Sequence, residues 1–297
     1  MNNYLIFRTD RIGDFLLTAI LIKSIKRNDP DCCISLVSSE KNFEYINSFE
    51  NIDKVFFLKR GFINKLLLFF SLNKLSYNSI IVHDAKNRSK IISFFLKSKK
   101  KYIPNNKKLV SYIDEIKCIL KYLNFNFDDV DLNTLDNRNI NYSKFDQKDY
   151  ILLHFDEKWI FKKYIKSYVN IEPTEKDLEI FLNSLSLKSN KHIIVTTGVD
   201  APDILQNIFK RNLNSKIQLI NNTNFIDLEC LINNSSLLIS CHGSVSHVAS
   251  AKNIKQIDIV DEGYNYSKWT KHFRKYKSIN RKPFNELSFE ILNLNFV

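Results

Sequence analysis

A carboxylate, a glycine and two arginines follow the first apolar stretch of the chain. Asp14 comes directly after Gly13, and an apolar pattern with helical spacing begins at the next residue. A carboxylate in this position either caps the helix or takes a proton from an attacking hydroxyl group. Arg8 and Arg11 flank it, so they can bind an anion or keep Asp14 charged. We expect Asp14 to be a general base, with helix capping as the alternative.

Residues 240–251 have the composition of an anion-binding helix start. Gly243 and Ser244 precede a helical pattern, so free backbone N–H groups and serine hydroxyls are expected to point at a ligand. His242 comes just before this turn and His247 lies one turn into the helix. The spacing differs from the glycine-rich turns of dinucleotide-binding proteins and of P-loops. The segment therefore predicts a phosphate-binding turn of another type.

Polar residues also follow three other predicted strands. Lys158 offers an ammonium group that suits a phosphate, although an exposed lysine is the plainer interpretation. Gly198 opens a turn before Asp203, which can bind a ribose hydroxyl or cap a helix. Asn87 and Arg88 can bind acidic groups or simply begin a solvated helix.

Strand and helix patterns alternate through both halves of the chain, which is typical of an α/β fold with parallel sheets. Residues 124–148 are rich in Asn and Asp and lack an apolar period, so we interpret them as a linker. We expect two Rossmann-like domains, 1–145 and 146–297, facing a central cleft, with the last helix free to pack back on the first domain. The predicted strands are 4–8, 34–37, 54–58, 79–83, 150–154, 192–197, 216–220, 237–240 and 256–260.

The chain has 297 residues, of which 44% are hydrophobic and 26% charged, so a disordered, collagen-like or coiled-coil protein is excluded. Lys and Arg number 44 against 32 Asp and Glu, and the net charge of +12 indicates an anionic partner. The apolar N-terminal stretch is too short for a signal peptide, and no run is long enough to span a membrane. Five cysteines without zinc spacing predict reduced, buried thiols in a cytoplasmic protein.

Two further segments carry weaker hypotheses. Residues 62–70 form an apolar run that, with the net charge, predicts peripheral contact with the inner face of the cytoplasmic membrane, and a buried helix is the alternative. Asp129-Val130-Asp131 has the Asp-x-Asp pattern of metal-dependent transferases, but it lies in the linker and not after a strand. We therefore expect no metal site there.

Together these segments resemble glycosyltransferase family 9, the ADP-heptose lipopolysaccharide heptosyltransferases, over most of the chain. Residues 8–17 are similar to the family's basic residue, short turn, Gly-Asp and apolar helix. Residues 77–102 are similar to its segment with Asp after a strand and then Asn-x-Arg-Ser. Residues 156–159 resemble an acidic-acidic-Lys element before Trp, and residues 242–249 resemble Asp-Thr-Gly-x-x-His-x-Ala.

The resemblance implies a GT-B fold and an inverting, metal-independent sugar transfer in the cytoplasm of a bacterium. It implies that Asp14 is the general base. Donor contacts would come from Lys158, Gly198, Asp203, His242, Gly243, Ser244 and His247, and acceptor contacts from Arg8, Arg11, Gly13, Asn87 and Arg88. No cofactor is expected, because the nucleotide-sugar is a substrate.

The identity of both substrates stays open at this point. The family's Asp is His242 here, so ADP-heptose and another nucleotide-sugar are alternative donors. The acceptor is expected to be an anionic glycolipid or oligosaccharide, such as a lipopolysaccharide core.

A non-catalytic nucleic-acid or nucleotide-binding protein would also explain the charge, through the basic clusters at 97–101 and 268–282, but no RNA-binding motif is present. A glycosidase would need a second carboxylate partnered with Asp14.

Overall fold

The computed structural model describes residues 1–104, 111–136, 138, 147–211, 214–221 and 223–295. The chain divides into two compact units, one of Met1–Asn139 with Ser267–His272 and one of Ile140–Tyr266 with Phe273–Val297. Each unit contains a parallel sheet with helices packed against it, which confirms the predicted α/β class with two Rossmann-like domains. The predicted boundary at residues 145 and 146 lies outside the described residues.

Strands and helices alternate along the first unit. Short strands of five to seven residues are separated by helical segments, and all except the lysine-rich β5 are the apolar runs that the sequence pattern predicted. The elements are β1 (Asn3–Phe7), α1 (Ile12–Asn28), β2 (Cys33–Ser39), α2 (Phe43–Ile46), β3 (Lys54–Leu58), α3 (Phe62–Asn73), β4 (Tyr77–Val82), α4 (Asn87–Phe95), β5 (Ser98–Tyr102) and α5 (Tyr112–Leu123), followed by a 3-10 turn at Asp129–Leu132.

The five strands of the first unit form a parallel sheet in the order β3-β2-β1-β4-β5. The central strand β1 is apolar because helices cover both faces of the sheet. Phe7 pairs with Val37 on one side and with Val82 on the other. The segments that follow β1, β2 and β4 therefore leave the sheet at one edge, where polar side chains gather.

The apolar run at residues 62–70 forms most of α3. Leu68 and Leu72 are buried in the core beneath the helix, as the buried-helix alternative predicted. Phe62, Ile63 and Leu67 on the other side of the helix are exposed. The buried face confirms the buried-helix alternative, and membrane contact of the exposed face stays a prediction. Within the described ranges, no helix is both long and apolar enough to cross a lipid bilayer.

The second unit repeats the alternation of strands and helices. The six strands form a parallel sheet in the order β11-β10-β9-β6-β7-β8, with β6 and β9 at its centre. The elements are β6 (Tyr150–Phe155), α6 (Glu175–Ser189), β7 (Ile193–Thr197), α7 (Asp203–Phe209), β8 (Ile217–Ile220), α8 (Phe225–Asn234), β9 (Ser235–Cys241), α9 (Ser244–Ala251), β10 (Lys255–Val260), α10 (Ser267–Thr270, in the first unit), β11 (Tyr276–Asn280) and α11 (Phe284–Asn293).

The two basic clusters contribute secondary structure at the edges of the sheets. Residues 97–101 supply most of β5, and the cluster at 268–282 contains α10 and the strand β11. Both strands lie at sheet edges, where one side of the strand has no neighbour. The last helix, α11, packs against α6 within the second unit.

All five cysteines are free thiols. Cys32, Cys230 and Cys241 are buried as expected, whereas Cys118 is exposed on α5, which corrects the prediction of uniformly buried thiols. Burial raises the pKa of Cys241 to about 12, so this thiol is kept protonated and unreactive.

Asp131, which the sequence offered as half of an Asp-x-Asp motif, binds protein groups instead of facing solvent. Its fully buried carboxylate accepts hydrogen bonds from Ser24 at 2.6 Å and from the Arg27 guanidinium at 2.9 and 3.0 Å. In the part of the chain that the structure describes, no cluster of three or more His, Cys, Asp or Glu side chains is arranged to hold a metal ion.

Replacement of Asp131 by Ala should destabilise the first unit. The change leaves Arg27 and Ser24 without their shared acceptor, and loss of one partner of a buried ion pair typically costs about 3–5 kcal/mol. Urea unfolding of Asp131→Ala and of Asp136→Ala, an exposed acid of the same segment, measures the difference. Equal unfolding free energies for the two variants would contradict this role for Asp131.

Candidate functional site

Arg8, the first residue after β1, is buried with unused hydrogen-bonding capacity. Nε donates to Thr18 Oγ1 at 2.6 Å, and Nη1 lies 3.3 Å from the Asp10 carboxylate. Nη2 is also buried and has no hydrogen-bond partner among the described residues. Buried donors are nearly always satisfied, so an incomplete guanidinium at a strand end is suited to an anionic ligand.

Asp14 lies in the first turn of α1, at its third helical position. Oδ2 accepts a long hydrogen bond, 3.4 Å, from the backbone N–H of the exposed Arg11, as in a capping box. Burial raises the pKa of Asp14, and the neighbouring Arg8 opposes this shift. The carboxylate thus makes a capping contact and has raised basicity. Gly13 lies buried in the same helical turn.

Asp84, directly after β4, connects the ends of β1 and β4. Its buried carboxylate accepts hydrogen bonds from the Thr9 hydroxyl at 2.6 Å, the Thr9 N–H at 3.2 Å and the Ser89 hydroxyl at 2.7 Å. Arg88 donates in turn to Thr9 Oγ1 at 2.7 Å. The carboxylate therefore fixes the position of Arg88 at the start of α4. Burial holds the pKa of the adjacent His83 well below its ordinary value.

A cavity of about 390 Å³ opens at this edge of the first sheet, and three of its six lining residues are cationic. Lys86 lies 3.2 Å from Asp10, which is the one acidic side chain in the lining. The balance of charge suits a ligand with carboxylate or phosphate groups. The lining consists of Thr9, Asp10, Lys41, Lys86, Asn87 and Arg88.

In the second unit, Lys158 follows β6 and is largely buried. Burial alone would lower the pKa of Lys158, but the ion pair with the buried Asp156 raises it above the ordinary value. The ammonium is therefore firmly charged. Trp159 anchors the segment, because its ring stacks on Phe155 and its indole N–H donates to the His154 carbonyl at 3.0 Å. Burial lowers the pKa of His154 to about 4.

Lys158 lies beside the turn that begins α9. A β-carbon at Gly243 would sit 3.0 Å from Lys158 Nζ, closer than side-chain carbons normally approach. The φ of Gly243 is −179°, which any residue can adopt, so a larger side chain here would meet the Lys158 ammonium and not backbone strain. Ser244 is the first residue of the helix, and Ser246 Oγ accepts the Gly243 N–H at 3.2 Å. The ammonium group and the helix start thus face the same small space.

Asp258, in the middle of β10, supports this turn from within the sheet. Its fully buried carboxylate accepts hydrogen bonds from His242 Nδ1 at 2.5 Å, Ser246 Oγ at 2.7 Å and Tyr276 OH at 3.3 Å. The ring of His242 packs edge-on against Tyr266, with 4.8 Å between the ring centroids, and against the buried His247, with 5.7 Å between the centroids. The orientation of His242 is therefore set by a carboxylate on the neighbouring strand.

Two predicted donor-binding residues have weaker structural support. Gly198 lies at the end of β7, where a β-carbon would come within 2.7 Å of Glu157 Oε2, so the glycine allows the two loops to approach. Asp203 is exposed at the first residue of the short helix α7. Sequence reasoning missed Asp258, Asp156 and Thr9 as supporting residues. An acid inside the apolar strand 255–260 was the available signal for Asp258.

The comparisons with known proteins are informative at the level of structure. No protein-family model and no curated protein sequence matches the chain. The structure of E. coli heptosyltransferase WaaC with ADP matches over 97% of this chain and 98% of its own, with a TM-score of 0.71 and 11% identity. The chain has the heptosyltransferase fold. At this identity the likeness establishes the fold alone.

Other solved structures share the heptosyltransferase fold. A family 9 glycosyl transferase from Veillonella parvula matches over 98% of this chain and 88% of its own, with a TM-score of 0.69 and 14% identity. The UDP-GlcNAc 2-epimerase of Methanocaldococcus jannaschii matches over 100% of this chain and 94% of its own, with a TM-score of 0.56 and 12% identity. Because transferases and epimerases both adopt this architecture, function must be argued from the site.

Removal of the Asp258 carboxylate should destabilise the second unit. Asp258→Ala leaves the buried Ser246 hydroxyl and the part-buried His242 and Tyr276 groups without this acceptor. The buried group alone costs roughly 1–3 kcal/mol, so the melting temperature should fall by several degrees. Asp258→Asn retains one carbonyl acceptor, so its melting temperature should fall less. A thermal melt of both variants measures this order, and an Ala variant as stable as the wild type would refute the supporting role of Asp258.

Proposed function

We propose that the protein is an inverting glycosyltransferase that moves a sugar from a nucleotide-diphosphate donor to an anionic glycan acceptor. The observation that carries the proposal is the charged Lys158 ammonium beside Gly243 at the start of α9. A sugar nucleotide leaves as a diphosphate, and that leaving group needs compensation for its developing negative charge.

The second unit offers two kinds of compensation to a diphosphate. The start of α9 at Ser244 and Val245 presents backbone N–H groups at the positive end of the helix dipole, whereas the Ser246 N–H bonds the Gly243 carbonyl at 3.1 Å. Lys158 adds a full positive charge whose position is fixed by Asp156. Together they would perform the role that a metal ion has in other transferases, so we propose a metal-independent reaction. His242 and His247 border the same turn, and heptose or a related sugar is the proposed donor group.

The first unit offers the acceptor half of the reaction. Arg8 Nη2 and the cavity cations Lys41, Lys86 and Arg88 suit the phosphate or carboxylate groups of a lipopolysaccharide core or another surface glycan. Inversion requires the acceptor hydroxyl to lose a proton as it attacks the anomeric carbon. Asp14 is the proposed base, because burial raises its pKa and so makes its ionised form a better proton acceptor.

Asp14→Asn should abolish most of the turnover while the fold is retained. The amide keeps the size of the side chain and a carbonyl for the Arg11 N–H, but it cannot take a proton. We expect kcat to fall by roughly 10²–10⁴ and donor KM to change little. Steady-state transfer assays with an ADP-, GDP- or UDP-sugar donor and a phosphorylated glycan acceptor provide the measurement. Turnover close to wild type would exclude Asp14 as the base.

Stability and pH separate the base from the capping role. The folded-state pKa of Asp14 lies above its unfolded value, so the carboxylate opposes folding at neutral pH. Asp14→Asn should therefore be at least as stable as wild type near pH 7, and this difference should vanish below about pH 3.9. Asp177 is the third residue of α6, as Asp14 is of α1, so Asp177→Asn serves as the capping control. This variant should leave turnover unchanged. The acid limb of activity should have its midpoint above about pH 3.9.

Gly243→Val should weaken nucleotide binding without unfolding the protein. The new side chain displaces the Lys158 ammonium and occupies the space before α9. Thermal shift with ADP, GDP, UDP and CMP should show stabilisation of wild type by a diphosphate, since a ligand that binds the native state raises its melting temperature. The variant should lose this shift.

Gly263→Val is the matched control, because Gly263 is exposed in a loop after β10. It should keep the nucleotide-induced shift. An unchanged shift in Gly243→Val would place the nucleotide elsewhere. Conversion of a UDP-sugar to its epimer in the absence of acceptor would contradict the transferase reaction while leaving the nucleotide site intact.

A further inference from the structure

Helix α3 is apolar on both of its faces. Leu68 and Leu72 are buried in the core of the first unit, as expected for a helix that covers a sheet. The opposite row of the helix also consists of large apolar side chains, and these are exposed, with Phe62 at 73%. A helix that is apolar all round is normally covered on both sides. The exposed row is Phe62, Ile63, Leu66, Leu67 and Phe70.

Helix α4 has the same organisation. Ile92 is buried and Leu96 directly follows the helix, and both belong to the core cluster that contains Leu68 and Leu72 of α3. The two helices therefore cover the same face of the sheet and turn their outer rows away from it. The exposed row of α4 is Ile91, Phe94 and Phe95, and Phe94 is 69% exposed. We call the exposed rows of α3 and α4 together the apolar outer face.

The positive charge of the protein is concentrated in the segment that carries this face. Residues 54–113 contain 14 Lys and Arg but only one acid, Asp84, so the net charge of the segment is +13. The rest of the chain has 30 basic and 31 acidic residues, a net charge of −1. Asp84 is itself buried and accepts hydrogen bonds from Thr9 and Ser89. The described residues of this segment therefore carry no exposed carboxylate, and the acid that pairs with Arg60 just before α3 is Glu40, from outside the segment.

We propose that the apolar outer face docks on an anionic lipid membrane. Exposed Phe, Ile and Leu side chains at helical spacing gain free energy when they enter the headgroup boundary, and flanking lysines gain from anionic headgroups. Lys97 and Lys99 are exposed between α4 and the end of β5 and are placed to make such contacts. Four of the eight side chains of the face are aliphatic and gain little from phosphates or base edges, so the composition favours lipid over nucleic acid, although the four Phe rings could also stack on bases. The inference does not depend on the transferase reaction.

Vesicle flotation with the full-length protein tests the proposal. Wild type should float with phosphatidylcholine vesicles that contain phosphatidylglycerol and remain unbound with phosphatidylcholine alone. The double variant Phe62→Glu and Phe94→Glu should bind the anionic vesicles at least roughly tenfold more weakly, because it places charge at the apolar outer face. Phe289→Glu alters a residue of α11 that is 70% exposed, and it should bind as wild type does.

A second variant tests the charge separately. Lys97→Glu with Lys99→Glu leaves the apolar side chains in place, and each basic residue near an anionic surface contributes about fivefold to binding, so the loss should be large and should shrink as salt is added. Melting temperatures close to wild type confirm that the variants fold.

Three results would overturn the proposal. One is equal binding, or none, to neutral and anionic vesicles. Another is undiminished flotation of the Phe62→Glu and Phe94→Glu variant. The third is tight binding of single-stranded poly(U) that competes with vesicles and is lost in the same variants, which would assign the surface to nucleic acid instead.

Discussion

In each sheet a buried aspartate at the carboxyl end of the strands holds the polar residues of that edge together. In the first unit Asp84 binds Thr9 and Ser89, which come from the segment after β1 and from α4. In the second unit Asp258 binds His242 and Ser246, which come from the turn after β9 and from α9. Buried carboxylates are tolerated only where several donors satisfy them. Each aspartate therefore specifies the relative positions of a loop and a helix start.

Parallel strand pairing explains why these arrangements occur at one edge of each sheet. Strand ends that are paired in register release their loops side by side, so residues far apart in sequence meet there. Thr9 and Asp84 are 75 positions apart, yet their side chains are 2.6 Å apart. Burying charged groups at such an edge costs desolvation free energy. Ion pairing, as between Lys158 and Asp156, offsets part of that cost.

Much of the fold follows from local sequence patterns, and the exceptions have physical reasons. Central strands such as β1 and β6 are short apolar runs, which are predictable because both faces of the sheet are covered. The edge strands β5 and β11 were missed because they need only one pairing partner and tolerate lysines, so their sequences do not differ from solvated surface. Gly198 and Gly243 were predicted in turns before helices, and both lie where a β-carbon would meet a neighbouring side chain. The acid inside the apolar strand β10 was a signal for Asp258, but its role could not be predicted, because its partners come from the turn after β9, from α9 and from β11.

The contact between His242 and Asp258 affects how proteins with this turn are compared. The resembled motif carries its acid inside the turn itself, whereas here the turn has histidine and the acid is supplied by the adjacent strand β10, 2.5 Å away. In this chain the carboxylate beside the turn comes from the neighbouring strand and not from the turn itself. A linear pattern that demands an acid before the glycine will therefore reject this chain, whereas a search for a carboxylate within hydrogen-bonding reach of the turn will accept it. Neighbouring strands of a parallel sheet lie side by side, so either strand can supply a carboxylate to the same turn. The linear sequence does not show this proximity.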